Sequence, residues 1–181
     1  MNEWKTKRLK ELLSFEKKGI TPAYTEKGNN AILVLNQKCN RDFSIRFDAA
    51  QYHDTNKKGV PASLLLRKGD ILINSTGKGT LGRVAQFEGS PYPTTIDSHM
   101  LLLRPADEID ALYLGYALKQ FQAVLMTKGI GSSGQEELDK LSLNDIKISF
   151  PGDINQQRHI ARSLHLLDIK IELNRQLNDN L

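Results

Sequence analysis

Residues 66–87 read LRKGDILINSTGKGTLGRVAQF, two apolar runs separated by a loop of small polar residues. The runs at 70–74 and 82–87 have the length of β-strands. Gly, Ser and Thr between them are typical of a turn or loop. The stretch therefore predicts two strands joined by a glycine-rich loop.

Similar runs of strand length lie on both sides of this stretch, at 31–35, 43–47 and 100–104. Several of them alternate, and clusters of Gly, Pro, Asn and Ser divide them, which predicts a curved, mostly antiparallel sheet. Residues 109–126 instead space their apolar side chains as in a helix that buries one face. We expect this helix to pack on the sheet.

Three shorter elements complete the globular part. An amphipathic turn or helix is expected at 4–15, a helical or turn segment at 136–141, and a strand at 146–150, before Pro151 and Gly152. A domain boundary is expected after Gly152.

The last 28 residues contain no Gly or Pro and have a sustained helical pattern. Apolar residues at alternating spacings of four and three form a coiled-coil seam, which comprises Ile160, Leu164, Leu167 and Ile171. The candidate dimerisation residues beyond it are Asn174 and Leu181, in register, and Leu177, on a neighbouring face.

The length of this helix predicts a separate role for it. At 1.5 Å per residue it spans about 42 Å, more than a cap on a domain of this size needs. We expect a globular domain at 1–152 and a dimerisation and spacer helix at 153–181. A terminal helix folded back on its own core is the alternative.

Composition limits the class of protein. The 181 residues suit one domain with an appendage, and a net charge of +4 permits nucleic-acid binding without requiring it. The single cysteine, Cys39, excludes an internal disulfide framework and fits a reducing compartment, so a cytoplasmic protein is expected. No stretch approaches the roughly 18 apolar residues of a membrane helix, so no membrane association is expected.

Two glycine-rich loops offer groups that could bind nucleic acid. The first carries hydroxyls and cations suited to phosphate, on Ser75, Thr76, Lys78, Thr80 and Arg83. The second offers Ser132, Ser133 and Gln135 to a base edge. An ordinary hairpin loop is the alternative for the first, and a helix stop followed by a linker is the alternative for the second.

The first loop differs from a nucleotide-binding P-loop. In this chain Gly79 follows Lys78, and a strand follows the loop where a P-loop leads into a helix. Nucleotide hydrolysis is therefore not expected.

Basic and aromatic residues interleave in the first third of the chain, where the candidates are Tyr24, Lys27, Lys38 and Arg41. If several of them share one face, each contacted phosphate adds a salt-dependent increment to DNA affinity.

Residues for catalysis or metal binding are not evident. The four histidines, His53, His99, His159 and His165, lack the spacing of a metal pair. Asp97 and His99 leave open a small hydrolase, but no Gly-x-Ser-x-Gly elbow supplies its nucleophile. We expect a protein with no catalytic or metal-binding residues.

Several short sequence motifs occur in a specific order along nearly the whole chain. They are Trp4 with Leu9 and Leu12, the run Gly19-Ile20-Thr21-Pro22, residues 66–73 with 75–77, residues 82–85, Asp97-Ser98-His99 before 101–105, the glycine stretch before Leu138 and Leu141, residues 146–151, and Gln156-Gln157-Arg158 before the long helix. This order resembles the target-recognition domain and following helix of the specificity subunits of type I restriction-modification enzymes. Thr21 and His99, which lie in these motifs, join the candidate DNA-binding residues.

The resemblance implies an α+β fold: a globular target-recognition domain with a curved, mostly antiparallel sheet and packed helices, followed by a long C-terminal coiled-coil helix. It also implies sequence-specific recognition of double-stranded DNA that directs methylation and cleavage by partner subunits. No cofactor is expected on this chain. S-adenosylmethionine would belong to the modification subunits, and ATP and Mg to the restriction subunits.

Specificity subunits of this family carry two recognition domains and two antiparallel helices, whereas this sequence has one of each. A second copy of the chain is therefore expected to complete the architecture, and a two-fold homodimer would read an inverted-repeat, bipartite site. The helix would act as a ruler of about 42 Å, or roughly twelve base pairs. The alternative is a protein-interaction module that dimerises through the helix without DNA specificity.

Overall fold

The computed structural model describes residues 3–131 and 136–179, which form an α+β fold. Its strands are β1 (Trp4–Arg8), β2 (Leu13–Lys18), β3 (Tyr24–Thr25), β4 (Ala31–Leu35), β5 (Asn40–Arg41), β6 (Ser44–Ile45), β7 (Gln51–Asp54), β8 (Ile71–Asn74), β9 (Val84–Gln86), β10 (Thr94–Ile96), β11 (Met100–Pro105), β12 (Gly129–Ile130), β13 (Glu137–Leu138) and β14 (Lys147–Pro151). Its helices are α1 (Ala111–Gln120), α2 (Gln122–Leu125), α3 (Lys140–Asn144) and α4 (Ile154–Asp179).

A sheet in the order β2-β11-β8-β9 lies at the centre of the fold, with both faces buried. Ile71 and Ile73 of β8 contribute to one core, which α1 covers, while Leu72 between them contributes to the other. Successive side chains of a strand point to opposite faces, so a strand between two cores needs a continuous apolar run. The strands predicted around residues 70–74 and 82–87 are confirmed.

A second sheet, in the order β10-β4-β7-β3, covers the other face of the central sheet. Cys39 is fully buried in the core between them. The prediction of mostly antiparallel pairing is confirmed, since β4 with β10 is the one parallel ladder among the described strands. The strands form two four-stranded sheets and three two-stranded pairs, where the sequence suggested one curved sheet.

The amino-terminal segment differs from its prediction as an amphipathic turn or helix over 4–15. It forms β1, a short 3-10 turn at Leu9–Leu12, and β2. The apolar periodicity arises because Leu9 and Leu12 of this turn are both fully buried. β1 pairs along its whole length with β14, and a partner so distant in sequence leaves no local signal.

Two other segments also contain shorter elements of secondary structure than predicted. Residues 43–47 contain only the short strand β6 and the start of a 3-10 turn at Phe47. Residues 136–141 contain β13 and the first turn of α3.

A buried ion pair fixes the turn that leads into the central sheet. Arg104 of β11 donates from Nε and Nη2 to the two carboxylate oxygens of Asp70, each at 2.8 Å. The Asp70 side chain also accepts the backbone N–H of Arg67 at 2.8 Å. Gly69 between them has φ of 96°, a conformation that glycine adopts without a Cβ penalty. The Arg-Lys-Gly-Asp sequence is thus a structural turn.

The long helix α4 follows β14 directly and contains 26 residues, about 39 Å at 1.5 Å per residue. Its first turns are joined to the domain by Gln157, which is fully buried. This side chain donates to the carbonyl of Pro151 at 2.8 Å and accepts the backbone N–H of Asp110, the N-cap of α1, at 2.8 Å. None of the helices in the described ranges has the length and apolar character needed to cross a bilayer.

Candidate nucleic-acid interface

The glycine-rich loop after β8 is closed by its own backbone. Gly82 N–H donates to the carbonyl of Asn74 at 2.8 Å, and Leu81 N–H donates to that of Gly77 at 2.9 Å. Gly77 and Gly79 have φ of 109° and 73°, so both need the freedom of glycine. The loop is therefore compact, and it raises Lys78 at its tip into solvent.

Two buried asparagines anchor this loop to the rest of the domain. Asn40 donates from Nδ2 to the carbonyl of Arg83 at 2.8 Å. Asn74 donates from Nδ2 to the carbonyl of Gln37 at 3.0 Å. Because both side chains are fully buried and bonded to backbone, they fix where the loop lies relative to the segment after β4.

The turn between β10 and β11 lies next to the loop. His99 donates its backbone N–H to Oδ1 of Asp97 at 2.9 Å, and its carbonyl accepts Ser75 N–H at 2.9 Å. The ring atom Nδ1 of His99 lies 2.8 Å from Oγ1 of Thr76. Three segments distant in sequence thus meet at one surface.

Two adjoining clefts open on this surface and share Gln37 and His99 in their walls. The first, of about 440 Å³, also includes Tyr24, Asn36, Lys38, Asp48, Gln51 and Asp97. The second, of about 720 Å³, also includes Thr76, Gly77, Lys78, Leu81, Met126 and Glu137. Both expose hydrogen-bond donors and acceptors of the kinds that recognise base edges and phosphates.

Two lysines in the walls of the clefts have no ion-pair partner among the described residues. Lys38 and Lys78 are exposed, and neither side chain forms an ion pair with any described residue. Burial raises the pKa of Asp97, against the lowering effect of the His99 backbone hydrogen bond and ring. Burial, together with the nearby Asp97, also raises the pKa of Tyr24, so its phenol remains a neutral donor at pH 7.

The structure brings together five of the predicted DNA-binding residues in the clefts, which are Tyr24, Lys38, Thr76, Lys78 and His99. Arg41 lies at the edge of the first cleft, where it pairs with Asp48 at 3.4 Å. Ser75 is buried beneath the loop, and Thr80 and Arg83 bond to the loop's own carbonyls.

Other predicted residues lie elsewhere. The Lys27 ammonium lies 5.2 Å from the centre of the Tyr92 ring, and neither residue is in the wall of a cleft. Thr21 is exposed, and its carbonyl accepts from Lys58. Ser132, Ser133 and Gln135 lie outside the described residues.

Gln37 was not singled out in the sequence, although it lies in the wall of both clefts. Its Oε1 is buried with no hydrogen-bond partner among the described residues, and it lies so close to Gly77 that a Cβ there would clash. The available signal is the polar Asn-Gln-Lys run, residues 36–38, directly after a buried strand. Asn36 shapes this run by accepting Lys38 N–H.

Asp97 and His99 are not arranged as a hydrolase pair. The carboxylate of Asp97 accepts the backbone N–H of His99, while the ring of His99 bonds to Thr76. A catalytic triad requires the carboxylate to orient the imidazole itself. In the described ranges, no group of three or more His, Cys, Asp and Glu side chains is placed to hold a metal ion.

The candidate seam of α4 is largely exposed. The exposed fractions of Leu164, Leu167 and Ile171 are 38%, 59% and 50%, while Ile160 packs against the domain core. Asn174 and Leu177 are exposed farther along the helix, and Leu181 lies outside the described residues.

Comparison with known proteins identifies the family. The family model described as "Type I restriction modification DNA specificity domain" matches residues 1–181. Comparison with curated proteins gave no match.

Solved structures share the fold. The S subunit of a type I restriction-modification system from M. genitalium has 20% identity, TM-score 0.62, and aligns over 99% of this chain and 44% of its own. The HsdS subunit from Thermoanaerobacter tengcongensis has 19% identity and TM-score 0.65 over 96% of this chain and 39% of its own. A chain from a structure on complex assembly and conformational transition of the type I R-M system has 19% identity and TM-score 0.70 over 96% and 40%. This chain therefore spans about two fifths of their length.

Proposed function

The chain belongs to the type I restriction modification DNA specificity domain family, and we propose on that premise that it reads a double-stranded DNA sequence as a homodimer without performing chemistry. Residues 1–152 would form the target-recognition domain, and residues 153–181 the dimerisation and spacer helix. Two domains related by a two-fold axis would read identical half-sites in inverted orientation.

The observation that carries the DNA-reading proposal is the meeting of Gln37, Thr76 and His99 beside Lys38 and Lys78, which pair with no acidic side chain in residues 3–131 and 136–179. Gln37 offers its amide nitrogen as a donor to a base edge, since its Oε1 is buried against Gly77, and His99 offers a ring nitrogen. Lys38 and Lys78 supply charge for phosphates on either side. Such a division between phosphate positioning and base reading is typical of sequence-specific DNA binding.

The dimer proposal rests on the exposed apolar stripe formed by Leu164, Leu167 and Ile171 of α4. These residues recur at spacings of three and four, the pattern of knobs-into-holes packing. The domain contacts α4 mainly through a neighbouring face, which includes Ala161 and Asp168, and also through Ile160 at the start of the seam. Pairing with a second copy would bury the stripe without displacing the domain.

The remaining partners follow from the family. Modification subunits would bind S-adenosylmethionine and methylate the DNA that this chain selects, and restriction subunits would use ATP and Mg to cleave. The cytoplasm is the compartment in which DNA and these subunits meet.

A selection from random duplexes, with and without a modification subunit, tests the DNA-reading proposal. The expected product is an enriched bipartite sequence whose two halves are inverted repeats. Enrichment of no sequence would overturn DNA reading, and enrichment of an asymmetric site would overturn the two-fold arrangement.

Sedimentation at micromolar concentration tests the dimer, which should have twice the chain mass. Leu167→Asp should yield monomers, because the dimer would bury a charge in the seam. Leu166→Asp is the matched control, since Leu166 is 65% exposed but lies on another face of the helix. A wild-type monomer, or dissociation by both substitutions alike, would contradict the proposed seam.

A further inference from the structure

Helix α4 is attached to the domain at a second point beyond its first turns. Asp168 accepts hydrogen bonds at a single oxygen, Oδ2, from the Tyr116 hydroxyl at 2.8 Å and from the Lys119 ammonium at 2.9 Å. Both donors belong to α1. We name these three residues the α1–α4 clamp.

The first attachment lies about one heptad earlier, at Gln157 and Ala161, both fully buried. Ala161 and Asp168 are about 10 Å apart along the helix axis at 1.5 Å per residue. A rod held only near Ala161 could tilt, whereas contacts farther along fix its direction. These are the clamp at Asp168 and, one turn beyond it, the ion pair of Arg46 with Glu172 at 3.3 Å. The clamp makes two shorter hydrogen bonds, at 2.8 and 2.9 Å, and therefore contributes most to the angle between helix and domain.

The donors of the clamp are themselves held in place. The Lys119 ammonium lies 4.7 Å from the centre of the Phe43 ring, and the Phe43 and Tyr116 rings are 4.9 Å apart. Phe43 and its neighbour Asp42 have φ of 63° and 52°, an uncommon conformation for residues with a side chain. The turn between β5 and β6 thus places an aromatic ring under Lys119.

The charge state of the clamp suits a permanent contact. Burial raises the pKa of Asp168, but the hydrogen bonds from Lys119 and Tyr116, together with the charges of Lys119 and His165, outweigh it and the net pKa is lowered. Burial and the hydrogen bond to Asp168 raise the pKa of Tyr116, so its hydroxyl keeps its proton. At neutral pH a carboxylate therefore faces one cation and one neutral donor.

The clamp also determines the direction of the proposed dimer seam. Leu167 precedes Asp168, so it points about 100° around the helix axis from the clamped face. A tilt of about 10° about Ala161 would move the far end of α4 by roughly 5 Å, more than the ~3.4 Å rise of one base pair. In a dimer joined through α4, such a tilt would change the distance between the two recognition clefts.

We infer that Asp168, Tyr116 and Lys119 are positioning residues that determine which spacing between DNA half-sites the protein accepts. This inference rests on the proposed homodimer. These residues lie outside the walls of both clefts and outside the seam, so they would act by fixing the angle of α4.

The test uses duplexes that carry the selected half-sites at the preferred spacing, at one base pair more or fewer, and as a single half-site. Wild-type affinity should fall at least about tenfold when the spacing changes by one base pair. Asp168→Asn and Tyr116→Phe should reduce this discrimination to less than about threefold. Their dimer mass and single half-site affinity should remain those of the wild type, which also shows that the variants fold.

Two further variants separate positioning from a general effect of charge. Lys119→Arg keeps a cation opposite Asp168 and should retain the wild-type spacing preference. Lys170→Gln removes an exposed charge from α4 outside the clamp and should do the same. If the wild type has a sharp spacing preference and Asp168→Asn and Tyr116→Phe retain it, the inference is overturned while the proposed function stands. A wild type that binds no site, or binds regardless of spacing, would overturn the proposed function itself.

Discussion

The hydroxyl Oγ1 of Thr76 and the ring atom Nδ1 of His99 lie 2.8 Å apart and join the glycine-rich loop to the turn between β10 and β11. This bond holds the imidazole at the boundary of the two clefts, and its other nitrogen, Nε2, has no hydrogen-bond partner in the described part of the chain. A base-reading group needs this kind of support, because a loosely held side chain discriminates poorly.

The first prediction concerns Thr76→Val, which keeps the shape of the side chain but removes its hydroxyl. Affinity for the selected DNA site should fall by about three- to tenfold, the net value of one hydrogen bond. Affinity for random duplex should remain unchanged, and Thr76→Ser should bind like the wild type. Equal losses on selected and random DNA would contradict a role for this bond in reading sequence.

The second prediction concerns phosphate contact by Lys78 at the loop tip. Affinity falls as salt concentration rises, and Lys78→Ala should make the slope of log affinity against log salt concentration shallower by about one unit. Lys147→Ala is the matched control, because Lys147 is an exposed lysine on β14, in the two-stranded sheet with β1. A salt slope that both variants change equally would place the phosphate contact elsewhere.

The third prediction concerns the dependence of stability on pH. Burial raises the pKa of Asp97 above its ordinary value of 3.8. The folded state therefore binds the Asp97 proton more tightly than the unfolded state. This tighter proton binding contributes fully to the free energy of unfolding below pH 3.8, and the contribution declines as pH rises through the pKa of Asp97 in the folded state. Asp97→Asn should lack this decline.

Denaturant unfolding of both proteins from below pH 3.8 to neutral pH measures the effect. The stability of Asp97→Asn relative to the wild type should increase across this range. Parallel curves of stability against pH for the two proteins would contradict a raised pKa for Asp97.

The fourth prediction concerns the buried pair of Arg104 and Asp70, whose side chains are 15% and 2% exposed. Arg104→Ala would leave a buried carboxylate without its partner, and the free energy of unfolding should fall by about 3–5 kcal/mol. The control is Arg158→Ala, since the Arg158 side chain is half exposed and its ion pair with Asp110 is 3.6 Å long. That substitution should cost less than about 1 kcal/mol. Similar losses from both substitutions would show that the buried pair contributes no more to the free energy of unfolding than the exposed one.

Local patterns predicted much of this fold. The strands at 31–35 and 100–104, the helix over 109–126, and the long helix from Ile154 lie where periodicity placed them. The helix over 109–126 is divided at Phe121 into α1 and α2. The elements at 4–15 and 43–47 were missed in type or extent, because they depend on contacts outside their own segments.

The candidate site was predicted only in part. Lys78 and Thr76 stand out in sequence, since hydroxyls and a cation among glycines are a local feature. Gln37 does not, because its position between two clefts depends on the segment after β4 meeting the loop after β8. Lys27 had the same residue type as Lys38, yet it lies beside Tyr92.

The sequence by itself determined the strands at 31–35 and 100–104, the long helix from Ile154, and where glycine permits a tight loop, including the loop that carries Thr76. Periodicity and turn chemistry act between near neighbours, so one sequence suffices to show them. Only the tertiary structure decided that His99 meets Thr76, that Gln37 lies beside both, and that α4 presents Leu167 to solvent while Asp168 faces α1. These relations join segments far apart in the chain, and their geometry follows from how the two cores pack.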